Sequence, residues 1–334
     1  MPLSAAAAFV LLLGSGAEVP AREARVVMGA LAEVQATGLA DPASALDAAF
    51  AALQRVDDRM TLFRPSELTT LNQAGGARLS EDTSTVLWHA LEMSYATGGA
   101  FDPTVEPLVR ASGHLGGKPR RLRRCERWRL LSRVGTAHVH LDPATRQVRL
   151  DPGTRLDLGG IAKGYAVDLA LVALRKAGAR GGLVDLGGSS LGVFGTPTTV
   201  AVRDPERTDA PPWATFTLEG AALASSGGDQ RPGHIFDPRT GLPARKVLAT
   251  TVVARSAMEA DALSTAVFVL GAEEGQALLV RRGAGGLVLS REQGRAVIRA
   301  SPGFAQAHHL RVAAGVAVDP PMTRATRGSV TGDR

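Results

Sequence analysis

The chain is poor in the residues that usually announce a chemistry. It has one cysteine, Cys125, in 334 residues, which excludes an internal disulfide and a cysteine-built metal site. Aromatic residues make up only 4%, and Ala, Gly, Leu and Arg dominate, so most positions carry little information. No internal repeat is visible. The N-terminal apolar run, Ala5–Leu13, is far shorter than the roughly 20 residues a membrane-spanning helix needs. Small residues follow it at Ser15, Gly16 and Ala17, so residues 1–20 resemble a signal segment and predict an exported, periplasmic protein. A basic start and a lipid-accepting cysteine are both missing from that segment. A cytoplasmic location is the alternative.

What is present begins with charge. The net charge is +6, and "KPRRLRRCERWR", Lys118–Arg129, concentrates it. No zinc-finger or RNA-recognition pattern accompanies this run, so a solvated face is expected there rather than a nucleic-acid partner. A hydrophobic content of 45% supports a sizeable core.

Helical spacing with an Asp41 cap predicts a helix through "DPASALDAAFAALQRVDDRMTLF", and Ser80 or Asp82 opens a second that Gly98 ends. "ARVVMGALAEVQATG" reads as a strand. "AHVHLDPATRQVRL" reads as a hairpin turning at Asp142-Pro143. "GGLVDLGGSSLGVFG" reads as a short strand leading into glycines, and "PWATFTL", "AALASSGG", "LATTVVA" and "GGLVLS" as further strands. Two helices broken at Gly271 fill "AMEADALSTAVFVLGAEEGQALLVRRGA". The irregular alternation predicts an α+β fold with antiparallel sheets and packed helices. The polar, Pro-containing residues 313–334 are expected to form a disordered tail.

Four stretches carry candidate chemistry. In "ADALST", Asp261 and Thr265 share a helix face with Ser264 between them, an oxygen-only set that suits Mg²⁺. In "GHIFDPRTGLPA", His234 precedes a turn and could serve as a general base. In "TGGAFDPTVEPLV", a glycine pair and Asp102-Pro103 make a turn that exposes backbone to a ligand. "LDLGGIAKGYAVD" matches neither a Walker loop nor a dinucleotide fingerprint. Its glycines still let backbone approach an anion at a helix N-terminus, with Lys163 adding charge and Asp157 an acceptor. Asp168, a turn into the helix, is expected to be structural.

The ordered set "MGA", "FRPSELTTLN", "TGGAFDPTVEPLV", "LDLGGIAKGYAVD", "LVDLGGSSLGVFG", "ASSGGDQ", "HIFDPRTGLPA" and "ADALSTAVFVLG" closely resembles the ApbE family of FAD:protein FMN transferases, over roughly residues 26 to 300. The resemblance implies a single α+β catalytic unit related to the T-fold, spanning 24–312. It implies Mg²⁺-dependent cleavage of FAD, with FMN passing to a threonine or serine hydroxyl of a target flavoprotein and AMP leaving. Such targets often lie at a membrane surface.

It further implies that Asp261, Ser264, Thr265 and the Gly160 carbonyl hold the metal. Met28, Phe63, Ala100, Phe101, Asp102, Asp157, Lys163 and Phe236 would hold FAD, and His234 would be the base. Phe63 stands where the family often has tyrosine, which keeps the stacking and loses a hydrogen bond. "ASSGGDQ" lacks the aromatic residue that commonly follows the family's Ser-Gly pair, and the basic run near Arg120 matches no family element. A Mg²⁺-dependent FAD pyrophosphatase and a non-catalytic FAD-binding protein are the alternatives.

Overall fold

A computed structural model describes the backbone of residues 8–11 and all of residues 19–207, 209–227 and 233–319. Most of the expected signal segment, and positions 320–334 of the expected tail, lie outside the described residues.

In chain order, β1 (Ala8–Leu11), β2 (Ala21–Val27) and β3 (Ala30–Thr37) lead to α1 (Pro42–Met60), α2 (Glu67–Ala74), β4 (Gly76–Arg78) and α3 (Glu81–Ala96). A 3₁₀ turn at Pro103–Val105 leads into α4 (Glu106–Ala111), α5 (Arg124–Leu131), β5 (Val139–Asp142), β6 (Gln147–Leu150) and α6 (Ala162–Lys176). Next come β7 (Gly181–Leu186), β8 (Ser190–Phe194), β9 (Thr198–Val202), β10 (Ala214–Leu218) and β11 (Ala222–Gly227). The short β12 (Phe236–Asp237) and β13 (Leu242–Pro243), then β14 (Ala249–Ala254), precede α7 (Ala257–Leu270) and α8 (Ala272–Arg282). β15 (Gly285–Glu292), β16 (Arg295–Ala300), α9 (Phe304–Ala307), β17 (Arg311–Val312) and β18 (Ala317–Asp319) complete the chain.

The α+β expectation holds. A nine-stranded sheet runs β18-β16-β15-β14-β11-β8-β7-β3-β2, and every pairing in it is antiparallel except β16 with β18. Side chains alternate across a strand, so adjacent residues serve opposite faces. Val184, Val252 and Val288 enter the core under the helices. Their neighbours Leu183, Val253, Leu287 and Leu289 enter a second core with Phe216 and Trp213, roofed by the sheet β1-β9-β10-β17. With both faces covered, central strands are buried along their whole length, as in β8 and β14.

Two readings of single strands are corrected. "ARVVMGALAEVQATG" is a hairpin, β2–β3, turning through Met28 (φ 52°) and Gly29 (φ 71°). "GGLVDLGGSSLGVFG" is likewise a hairpin, β7–β8, turning through Gly187 and Gly188. Two successive residues at positive φ suit the right-handed twist of paired strands. Residues 317–319, assigned to the tail, pair in parallel with β16. Ala8–Leu11, inside the expected signal segment, pairs antiparallel with Thr199–Val202. Among the described residues, no helix is long and apolar enough to cross a membrane.

Helix α7 matters most to the site. It is apolar almost all round, which is the pattern of a buried helix. It packs against α6, α8, β11 and β14. Each fully buried Leu, Val or Phe on it contributes about 1.5–3 kcal/mol. Burial on every side fixes where Asp261 and Thr265 point.

Candidate functional site

The register of the large sheet gathers the glycine- and hydroxyl-rich segments at one end. The β2–β3 turn lies beside the β7–β8 turn, where the Gly187 N–H donates to the Leu31 carbonyl at 3.0 Å. Next across the sheet comes the end of β11, where the Ser225 N–H donates to the Ser189 carbonyl at 2.9 Å. The start of β14 follows, and the Ser225 and Thr251 hydroxyls lie 3.0 Å apart. Met28, Ser189, Ser226 and Thr250 therefore belong to one rim. α6 begins next to it, and the middle of α7 reaches it through Ser264 and Thr265.

Asp261, in the second turn of α7, is buried. Its Oδ2 accepts the Gly164 N–H at 3.0 Å. Burial pushes its carboxyl up to about 6, and nearby Asp168 adds to the rise. The Lys163 charge and the Gly164 N–H act in the opposite sense. A carboxylate held at this cost to its charged form gains from a cation. Thr265, one turn on, has its hydroxyl 3.4 Å from Ser226 Oγ.

The glycine turn meets this helix directly. A methyl group at Gly160 would come within 3.2 Å of Thr265 Oγ1 and of the Phe101 ring. One at Gly164 would fall 2.1 Å from the Ala257 carbonyl oxygen. Glycine at both positions lets the turn and the first turn of α6 lie against α7. Asp168 then closes the joint, accepting the Ala257 and Met258 N–H groups at 2.8 and 2.9 Å. It caps a helix other than its own, which confirms its structural role.

Lys163 stands in the first turn of α6, where no side chain caps the helix. Its Nζ donates to Ser189 Oγ at 2.5 Å, tying the glycine turn to the β7–β8 turn. Asp157 is half-buried, and its Oδ1 accepts the Gly159 N–H at 2.8 Å. Burial holds its carboxyl above the usual range. Its own N–H donates to the Pro103 carbonyl at 2.7 Å, joining the glycine turn to the Thr97–Val109 loop. Asn72 pins the same segment through paired bonds to the Leu156 N–H and carbonyl, at 2.7 and 2.8 Å.

Other expected site residues take different positions. Ala100, Phe101 and Asp102 are buried. The Asp102 carboxylate accepts from the Thr104 N–H and hydroxyl at 2.8 and 2.5 Å, and from the Ser94 hydroxyl at 3.3 Å. Burial raises its pKa. The carboxylate thus shapes the loop. Phe236 is buried with Leu108 and Val109, its ring edge-on to His114. Phe63 is 60% exposed and open to stacking. Met28 holds a left-handed backbone that non-glycine residues rarely adopt. His234 is half-buried and opens the β12–β13 hairpin.

Ser264 sits between Asp261 and Thr265 but is fully buried. Its hydroxyl donates to the Asp261 carbonyl at 2.9 Å and lies 2.8 Å from Ser226 Oγ. Ser189, Ser226 and Asn72 also belong to the site, beyond the residues expected there from the sequence. A serine pair closing an apolar strand, in "GGSS" and again in "ASSG", is the signal that marks the first two.

Among the described residues no three His, Cys, Asp or Glu side chains cluster as a metal site would. A cation here would rest on one carboxylate, hydroxyls and carbonyls. The donor set Asp261, Thr265 and the backbone at Gly160 is hard and oxygen-only, which fits Mg²⁺.

The family model of the ApbE family matches residues 28–288. The chain belongs to the ApbE family. The FAD:protein FMN transferase of Vibrio cholerae is 30% identical over 293 residues, 80% of this chain and 87% of that protein. The ApbE protein of Thermotoga maritima superposes with a TM-score of 0.79 at 28% identity, over 86% of this chain and 99% of that one. The apo flavinyl transferase ApbE of Pseudomonas stutzeri gives 0.78 at 25% identity, over 86% and 96%. The ApbE match spans both halves of the site, the glycine turn and the start of α7.

Proposed function

We propose that the protein transfers FMN from FAD to a threonine or serine hydroxyl of a target flavoprotein, with Mg²⁺ required and AMP released. The observation that carries this reading is the contact between the glycine turn and α7. It sets Lys163 and the uncapped start of α6 beside Asp261 and Thr265. Transfer at a pyrophosphate needs negative charge neutralised, reactants held in line and the attacking hydroxyl deprotonated. The relatives named FAD:protein FMN transferase support the same substrate pair.

Asp261, Thr265 and the Gly160 carbonyl would hold the cation, which when bound would offset phosphate charge and stabilise the departing AMP. Lys163 and the α6 N-terminus share that electrostatic task. Ser189 positions Lys163. Met28 and Phe63 offer apolar surfaces to the flavin. His234 takes the proton of the attacking hydroxyl as the oxygen–phosphorus bond forms and the pyrophosphate bond breaks.

The reading includes export, which the apolar run and its small-residue flank support, and a target flavoprotein at or near a membrane surface. Mass spectrometry of a candidate flavoprotein after incubation with the enzyme, FAD and Mg²⁺ tests the reaction. The expected product carries an FMN-sized addition on a threonine or serine. Release of free FMN and AMP with no modified protein would replace transfer by hydrolysis. His234→Ala is expected to lower transfer by about 10²–10⁴ with FAD binding retained.

A further inference from the structure

The segment Lys118–Arg129 contains seven basic residues and one acidic one, so it carries as much net charge as the whole chain. Among the described residues, Glu126 alone answers it, through an ion pair with Arg120. Arg121, Arg123, Arg124 and Arg129 are exposed. Trp128 stands among them, 60% exposed. α5, which forms the second half of the segment, has no buried residue.

The segment is nonetheless anchored at a defined place. Leu122, Leu130 and Leu131 turn inward and pack with Leu108, Val109 and Phe236. Arg127 lies over the turn of the β12–β13 hairpin, where a methyl group at Gly241 would come within 2.8 Å of its Cγ. Phe236 and Gly241 belong to the hairpin that His234 opens. The basic surface is therefore built onto the element that must meet the incoming hydroxyl.

We propose that this surface docks an acidic region of the acceptor protein and steers its hydroxyl towards His234. The proposal rests on the FMN-transfer reading. Charge complementarity names the occupant: a surface rich in Asp and Glu. A membrane surface fits less well, because a membrane-lying helix needs an apolar face, and the leucines here are spent on the protein's own core. Trp128 adds an aromatic anchor within a charged patch, a combination typical of protein interfaces.

The test uses the full chain, the triple variant Arg121→Glu, Arg124→Glu, Arg129→Glu, and three labelled probes. The probes are an acidic Glu/Ala peptide of about twelve residues, phosphatidylglycerol vesicles and a DNA duplex. Wild type should bind the acidic peptide about tenfold more tightly than the variant at low salt, and the difference should shrink at high salt. FAD turnover without acceptor and thermal stability should be equal in the two proteins. With an acceptor identified by its covalent FMN, the variant should raise KM for that protein by about tenfold and leave kcat unchanged.

Equal peptide binding by both proteins, or retention by vesicles or DNA without peptide binding, overturns the docking surface. If that occurs while FMN transfer persists, the proposed function stands. Acidic-peptide binding by a wild-type protein that leaves no covalent FMN on any flavoprotein overturns the transferase reading, and with it the identity of the partner.

Discussion

The backbone N–H of Gly164 donates to Asp261 Oδ2 at 3.0 Å, so the first turn of α6 and the second turn of α7 share one hydrogen bond across the site. Asparagine at 261 keeps an acceptor for that bond but removes the charge. Asp261→Asn is expected to lower Mg²⁺-dependent FAD turnover by at least about 100-fold with little change in Tm. Steady-state assays beside thermal melts check this. Wild-type turnover would remove Asp261 from the cation shell.

The same carboxyl sets a pH dependence. Its folded value, about 6, lies above its ordinary value of 3.8. Between those values the folded chain without metal retains a proton that the unfolded chain has lost, so this group's contribution to stability falls as pH rises through that window. A cation needs the deprotonated form and competes with the proton below about 6. Mg²⁺ should therefore raise Tm more at pH 7.5 than at pH 5.5, and Asp261→Asn should abolish that difference. Equal Mg²⁺-induced shifts at both pH values in wild type would contradict it.

Asp168 holds two N–H groups of α7 that nothing else satisfies in the helix. Asp168→Ala leaves both partly buried donors without a protein partner, at a cost of about 2 kcal/mol, and should lower Tm by roughly 5 °C. Because α7 carries Asp261 and Thr265, half-maximal Mg²⁺ should rise as well. A stable variant with unchanged Mg²⁺ response would show that the cap does not position the helix.

Gly164→Ala tests the helix contact itself. Its new methyl group would sit 2.1 Å from the Ala257 carbonyl oxygen and 2.7 Å from Met258 Cα, backbone atoms that cannot swing aside. The strain should cost about 1–3 kcal/mol and lower turnover by moving α6 away from α7. Denaturant unfolding gives the first quantity and FAD turnover the second. Wild-type stability would mean that the helices can separate freely at this point.

Much of this architecture was legible in the sequence where local chemistry and global packing agree. Asp41 and Ser80 cap α1 and α3 as their side chains suggest, and Gly271 breaks α7 from α8. Asp261 and Thr265 share a face because α7 is a regular helix, and burial along most of that helix sets the face towards the glycine turn. Met28–Gly29 is not legible as a turn in the sequence because methionine rarely takes a positive φ; the pairing of β2 with β3 fixes it there. Ser264 shows the other limit. Spacing puts its hydroxyl near Asp261 but does not say that the end of β11 will hold it through Ser226. Phe236 follows the same logic: the family resemblance places it beside FAD, and spacing alone does not say that Leu108 and Val109 will pack around its ring.

Gly164 and Asp168 lie one helical turn apart, and both grip the first turns of α7. The loop that would face FAD and the helix that would face the cation therefore cannot open separately. They should exchange their amide hydrogens with solvent as one cooperative unit, slower than the exposed α5 and its flanks. A substrate bound at either half would protect the other without any change of shape.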